Sequence, residues 1–314
     1  DVVSSSAAAM WAASAVRRIR GVQRARRHVF AFDGCCGTAT SQTLFHLATN
    51  RYARVIGCDR DKPEKWVRKH IPLEFQKRFV FISKDMADVT PELLDTVMRE
   101  AWGVGVDKLS HFHDSHPCTT LSRAERRGIH RYPDGSPKSW QAKADDRLLE
   151  LTIGLIHGVL ARAPGCLVTI ENPWGPWLTK LPVVIDLLAT PGWSLLLGSY
   201  CMCANELDGS RQWPQKHTYI ISFNLPPSFE LPICRAPFDC KSLLPGTHRH
   251  AIVLCTNREN IEGQHVVCNA VEKGRMPLGL FDRVWQAHLA WKHKARLQDR
   301  GRARDSEGKL VAFV

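Results

Sequence analysis

The chain has 314 residues, 44% of them hydrophobic, with 43 Lys and Arg against 31 Asp and Glu. That length allows one large α/β domain with a small appendage, or two modest domains, and no apolar run is long enough to span a membrane. A net charge of +12 favours a polyanionic partner, nucleic acid first, over an acidic small molecule. Eleven cysteines, an odd number without the rhythm of a small stapled scaffold, speak against a disulfide framework. They fit a reducing intracellular compartment, the nucleus if the host is eukaryotic.

Residues 1–28 read as a basic arm or linker. "SSSAAAMWAASAVRRIRGVQRARRH" contains no acid and ends in an arginine cluster, a composition shared by transit peptides and by arms that lie on phosphates. A chain starting at Asp1 without methionine reads as a piece of a longer polypeptide. From Val29 strands alternate with amphipathic helices. "HVFAFDGCCGTATSQTLFHLAT" is a strand, a glycine-bearing turn and a helix; "ARVIGCDRD" and "RFVFISKDM" are a second and a third strand. The helix "PELLDTVMREAW" is capped by Thr90, with Pro91 at its first position. "KLSHFHDSHPC" and "GCLVTIENPWG" are further strands, separated by the helix "DDRLLELTIGLIHGVLARA".

This alternation predicts a doubly wound, mostly parallel α/β sheet over residues 29–223, with ligands beyond the carboxyl ends of its strands. "WSLLLGSYCMC" and "QKHTYIISFN" follow with no helix between them, which predicts an antiparallel hairpin closing one edge. Residues 224–270 read as a small appended segment. Residues 271–314 read as a C-terminal helix returning to the core, plus a tail.

The residues that carry chemistry fall at those strand ends. Gly34 and Gly37 form a strand-to-helix turn without the full dinucleotide pattern, Asp59 stands where an acid can hold ribose hydroxyls, and Asp85 where it can reach an adenine amine. No lysine-rich phosphate loop accompanies them, so an adenosine-bearing cofactor is favoured. Cys118 follows Pro117 at the end of one strand, and Glu171 ends the next. A thiolate and a carboxylic acid so placed suit an electron-poor ring: sulfur adds to one carbon, the acid protonates a ring nitrogen, and the neighbouring carbon becomes nucleophilic. A buried structural thiol is the bland alternative for Cys118.

"SHPCTTLSRA" and "ENPWGPW", in the order cofactor turn, acids, Pro117-Cys118, Glu171-Asn172, "QKHTYIIS", resemble the motifs of the DNA (cytosine-5) methyltransferases over roughly Val29 to Trp291. The resemblance implies a class I methyltransferase fold, Rossmann-like with a small target-recognition segment, S-adenosylmethionine as donor, and a cytosine flipped from double-stranded DNA. It makes Cys118 the nucleophile at carbon 6 and Glu171 the proton donor at ring nitrogen 3. Asn172 would shape the pocket, with Lys216 or Arg211 contacting the base and its backbone. Phe32, Asp33, Gly34, Cys35, Gly37, Thr38, Asp59, Asp85 and Pro117 would surround the cofactor. Ser122, Arg123, Arg211, Gln215, His217, His248 and Arg249 would meet the DNA, bound by a monomer. Pro173 after Glu-Asn and "QKH" for Gln-x-Arg-x-Arg mark a divergent, phage-like or mobile-element-like branch.

In the segment 224–270, Cys234, Cys240, His248 and His250 form C-x5-C-x7-H-x-H, loosely compatible with zinc. Three rival readings stand beside DNA methylation. The same addition chemistry serves cytosine in tRNA. "HFHDSH" offers His111, His113 and His116 as the start of a metal-hydrolase cradle, and the basic charge alone suits an inactive DNA-binding module.

Overall fold

In the computed structural model, residues 28–37, 39, 41–121, 128–209, 213, 216–235, 240, 252–254, 265–267 and 276–306 are described; for 252–254, 265–267 and 299–306 this extends to secondary structure only. The strands are β1 (Val29–Gly34), β2 (Ala53–Cys58), β3 (Phe79–Ile82), β4 (Leu109–Ser115), β5 (Leu167–Pro173), β6 (Trp193–Ser199) and β7 (His217–Phe223). They form one seven-stranded sheet in the order β3-β2-β1-β4-β5-β7-β6, parallel except for β7, which runs antiparallel to both its neighbours. The doubly wound sheet with an antiparallel edge hairpin expected from the sequence is therefore present. A separate two-stranded sheet pairs β8 (Ile252–Leu254) with β9 (His265–Val267).

Each β1 residue alternates faces, and the two faces meet different helices. Val29 and Ala31 join Leu44, Phe45 and Leu47 of α1 (Gln42–Thr49) in one core cluster. Phe30 and Phe32 join the opposite cluster, with Leu94 and Met98 of α2 (Pro91–Trp102), Leu149, Ile153 and Ile156 of α3 (Trp140–Arg162) and Val184 and Leu187 of α4 (Pro182–Ala189). Burying both faces of the sheet is what its near-continuous apolar strands require. The helix α5 (Leu278–Ser306) lies on the α1 side, where Phe281, Val284 and Trp285 are buried. No helix among the described residues is long and apolar enough to cross a membrane.

Local signals act as read. Thr90 Oγ1 accepts from the Leu93 N–H at 3.1 Å, Pro91 opens α2, and Gly103 closes it at φ +67°. One strand is shorter than expected. β6 ends at Ser199, and Tyr200–Cys203, read as its continuation, coils into a helical turn instead. The turn buries Tyr200, Cys201 and Cys203 in the core, an outcome that outweighs the strand preference of an aromatic residue.

Candidate active site

Parallel pairing of β4 with β5 sets Ser115 opposite Glu171, so the loop after β4 emerges beside that carboxylate. Glu171 is 5% exposed, and three donors converge on its Oε1: Tyr200 Oη at 2.8 Å, Thr218 Oγ1 at 2.5 Å and, as an ion pair, Lys216 Nζ at 3.6 Å. Lys216 also donates to Tyr200 Oη at 3.1 Å and stands 4.6 Å from the centre of its ring. Burial first, and then the Glu171 charge, push the Tyr200 phenol well above its ordinary range, so it remains a donor.

Cys118 is half-buried within the field of the same groups. Burial raises its thiol pKa, Lys216 opposes that rise, and Glu171 adds to it. Cys118, Glu171 and Lys216, all named from sequence, are thus brought together. Asn172, fully buried, donates through Nδ2 to the His116 carbonyl at 3.4 Å, joining the end of β5 to the residue before Pro117.

The loop carrying Cys118 is held by residues with no motif of their own. Thr120 Oγ1 donates to Asp145 Oδ2 at 2.7 Å, and His116 Nε2 lies 3.1 Å from the Asp145 carbonyl oxygen. Arg131, 1% exposed, donates from Nε to the Thr120 carbonyl at 2.8 Å and pairs with Asp146 at 2.5 Å. Arg131→Ala would leave that network without its cation, an uncompensated loss of about 3–5 kcal/mol. Urea unfolding should show it as a fall in the midpoint, and an unchanged midpoint would contradict a structural role for the pair.

The turn after β1 is built from left-handed backbone. Cys35 at φ +50° and Ala39 at φ +53° adopt it without glycine's freedom, alongside Gly37 at φ +55°. Asp59 holds the turn: its Oδ2 accepts from Gly37 N–H at 2.9 Å and its Oδ1 from Asp61 N–H at 2.8 Å. Asp85 accepts from Ala87 N–H at 3.0 Å and pairs with Arg60 at 2.6 Å. Partial burial opposes its ionisation, but those two partners hold its carboxyl below the ordinary value. Pro117 is half-buried in the loop after β4.

Phe32 and Asp33, expected to surround the cofactor, are both buried. Phe32 is fully buried against Phe112, with ring centres 4.8 Å apart, because the alternation along β1 turns it into the core. Asp33 is 2% exposed, and its Oδ2 accepts from both the N–H and the hydroxyl of Thr43, so it fixes the start of α1. Burial lifts Asp33 to about 7 despite those bonds. A carboxylate that sequence reasoning passed over does face this turn. Asp114, fully buried at the end of β4, has its Oδ2 3.6 Å from His116 Nδ1, and a Cβ on Gly34 would lie 2.8 Å from its Oδ1.

The metal-hydrolase reading fails on geometry. His111 and His113 turn to one face of β4 and both bond Thr169 Oγ1, at 2.9 and 2.8 Å; His111 also meets His46 at 2.8 Å, and His113 meets Ser115 at 3.0 Å. His116 is directed at α3 instead. The three do not converge on a common point. His217, expected to touch DNA, is half-buried with Nδ1 2.8 Å from Ser199 Oγ and its ring edge-on to Trp174. Thr38, Ser122, Arg123, Arg211, Gln215, His248, Arg249 and His250 lie outside the described residues. Cys234 and Cys240 are both buried, and Cys201 joins them.

No protein-family model and no curated protein matches the sequence. Among solved structures, the chain is similar to the human methyltransferase 10 domain containing protein at 6% identity and a TM-score of 0.39, over 68% of this chain and 81% of that one. It is also similar to a putative RNA methyltransferase from Pyrococcus horikoshii at 13% identity and a TM-score of 0.34, over 69% and 82%. A type I restriction-modification methyltransferase subunit from Streptococcus thermophilus is matched at 14% identity and a TM-score of 0.35, over 67% of this chain but 42% of the subunit. The strand order β3-β2-β1-β4-β5-β7-β6, with β7 reversed, is that of the class I S-adenosylmethionine-dependent methyltransferase fold.

Proposed function

We propose that the protein transfers a methyl group from S-adenosylmethionine to carbon 5 of cytosine in DNA, through a covalent adduct with Cys118. The convergence of Cys118, Glu171 and Tyr200, which follow or end β4, β5 and β6, with Lys216, which precedes β7, supports this reading most strongly. The donor's charge suits the turn: it carries a sulfonium and an ammonium, and the carboxylates of Asp59 and of the buried Asp114, which lies against Gly34, face that turn. Cys35, Gly37, Asp59, Asp85 and Asp114 would hold it. When bound, it supplies an electrophilic methyl group.

The chain's own residues perform the rest. The Cys118 thiolate forms a bond to carbon 6, while Glu171 delivers a proton to ring nitrogen 3, so the electron pair gathers at carbon 5. With Oε1 held by Tyr200 and Thr218, Oε2 is the oxygen for the base. After methyl transfer a water takes the carbon 5 proton, the carbon–sulfur bond breaks to regenerate the thiolate, and ring nitrogen 3 returns its proton to Glu171. Lys216 lowers the cost of the thiolate in a site whose burial opposes it. Asn172 keeps the two strand ends together.

The excess of basic residues suits a polyanionic substrate. Methyl incorporation into duplex DNA and into tRNA should be compared directly, and incorporation into tRNA alone would overturn the choice of DNA. Lys216→Met removes a cation that favours the Cys118 thiolate, so the thiol pKa should rise. The acidic limb of the rate profile should move to higher pH, with about a tenfold loss of rate below it for each unit moved. A profile that keeps its position would exclude Lys216 from activating the thiol.

A further inference from the structure

Away from the strand ends, three thiols meet in the core. Cys201 belongs to the helical turn after β6, whereas Cys234 and Cys240 come from the segment beyond β7, and all three sulfurs lie within 4.8 Å of one another. Each is under a tenth exposed. The approach is set by backbone: Ser199 N–H donates to the Pro232 carbonyl at 3.0 Å, and Cys234 N–H donates to Ser199 Oγ at 2.8 Å. Leu231 lies over Gly198, where an added Cβ would come within 3.0 Å of it. The segment is therefore laid along the end of β6, and Cys234 arrives beside Cys201 by construction.

From this geometry we infer that Cys201, Cys234 and Cys240 bind a zinc ion. Thiolates around tetrahedral zinc, with bonds of about 2.3 Å, stand about 3.8 Å apart, so the sulfurs need only contract by roughly 1 Å or less. Three thiolates leave one position for a water or a fourth side chain. The set differs from the one expected from sequence, because Cys201 lies 33 positions before Cys234 and belongs to the methyltransferase core. A metal here ties Cys234 and Cys240 to the turn that carries Tyr200, one residue from Cys201. It would fix the donor to Glu171 and the start of the appended segment with one ion.

The test is metal analysis of the full chain, purified under reducing conditions without chelators and then titrated with zinc against a chromogenic chelator. About one tightly held zinc per chain is expected, and Cys201→Ser, Cys234→Ser and Cys240→Ser should each weaken binding at least about tenfold. Cys203→Ala, in the same core but outside the trio, should leave binding intact. Because a serine variant can lose metal by misfolding, the wild-type chain is also stripped and reloaded with cobalt(II). Thiolate charge-transfer absorption and tetrahedral visible bands are expected. A folded, reduced wild-type chain that takes up neither zinc nor cobalt would overturn the site, as would zinc that is lost equally in Cys203→Ala.

Discussion

Cys118→Ser is expected to abolish methyl transfer while leaving duplex binding largely intact. Serine keeps the shape of the loop, whose backbone is pinned by the Leu121 N–H on the Cys118 carbonyl and by Thr120 on Asp145. What it removes is a group able to reach its anionic form. Burial already raises the thiol, and an alcohol in the same surroundings, far less acidic, would not ionise even with Lys216 beside it. Binding persists because contacts to phosphate, and not the nucleophile, supply most of the affinity. Initial rates and filter binding on one duplex separate the two effects, and normal turnover would remove Cys118 from the mechanism. Glu171→Gln should slow transfer by about two to four orders of magnitude, since the amide still bonds Tyr200 but has no proton to give to the ring.

The second large effect is acid instability. Burial holds His46 at about 3, His113 and His288 at about 4, and His111 well below its ordinary value. All four are neutral in the fold and bind protons when it opens, so their contribution is complete above about pH 6.5 and is lost as pH falls towards 4. Asp33 acts the other way. Raised to about 7, it keeps a proton that the unfolded chain releases, so its own contribution is lost as pH rises through 7. Between about pH 6 and 4.5 the histidines outnumber it, unfolding takes up about three protons, and stability should fall by on the order of 4 kcal/mol per pH unit. Urea midpoints measured across that range should drop steeply. A flat profile would mean that these histidines are not buried neutral, which would overturn the packing of α1 and α5 on β4.

The fold was largely legible because its signals are local. Strand and helix periods, the Thr90 cap with Pro91, and the turn at Gly34 each act within a few residues, and alternation alone places β4 beside β5. Adjacency of those strands is what brings Cys118 and Glu171 together. The parts that were not legible depend on contacts between distant segments. Tyr200 reads as a strand residue until the core claims the turn around it, and nothing near it in sequence points to Glu171. Arg131 belongs to no motif, because its burial depends on Thr120 and Asp146 folding around it. Asp33 and Phe32 sit in the right motif, but the alternation along β1 and the start of α1 turn their side chains away from the cofactor turn. Asp114 was hidden between the histidines of "HFHDSH", whose metal-binding look obscured the one member that faces Gly34. Cys201 is separated from its partners by the whole of β7.

The most direct measurement is incubation of the protein with tritiated S-adenosylmethionine and a duplex containing 5-fluorocytosine in mixed sequence contexts, followed by a denaturing gel. Fluorine at carbon 5 blocks the final elimination, so the covalent route leaves a labelled protein–DNA adduct, absent with Cys118→Ala. That adduct is the predicted result. Labelled DNA without any adduct, or an adduct that persists in Cys118→Ala, would contradict the assignment of Cys118 as the nucleophile.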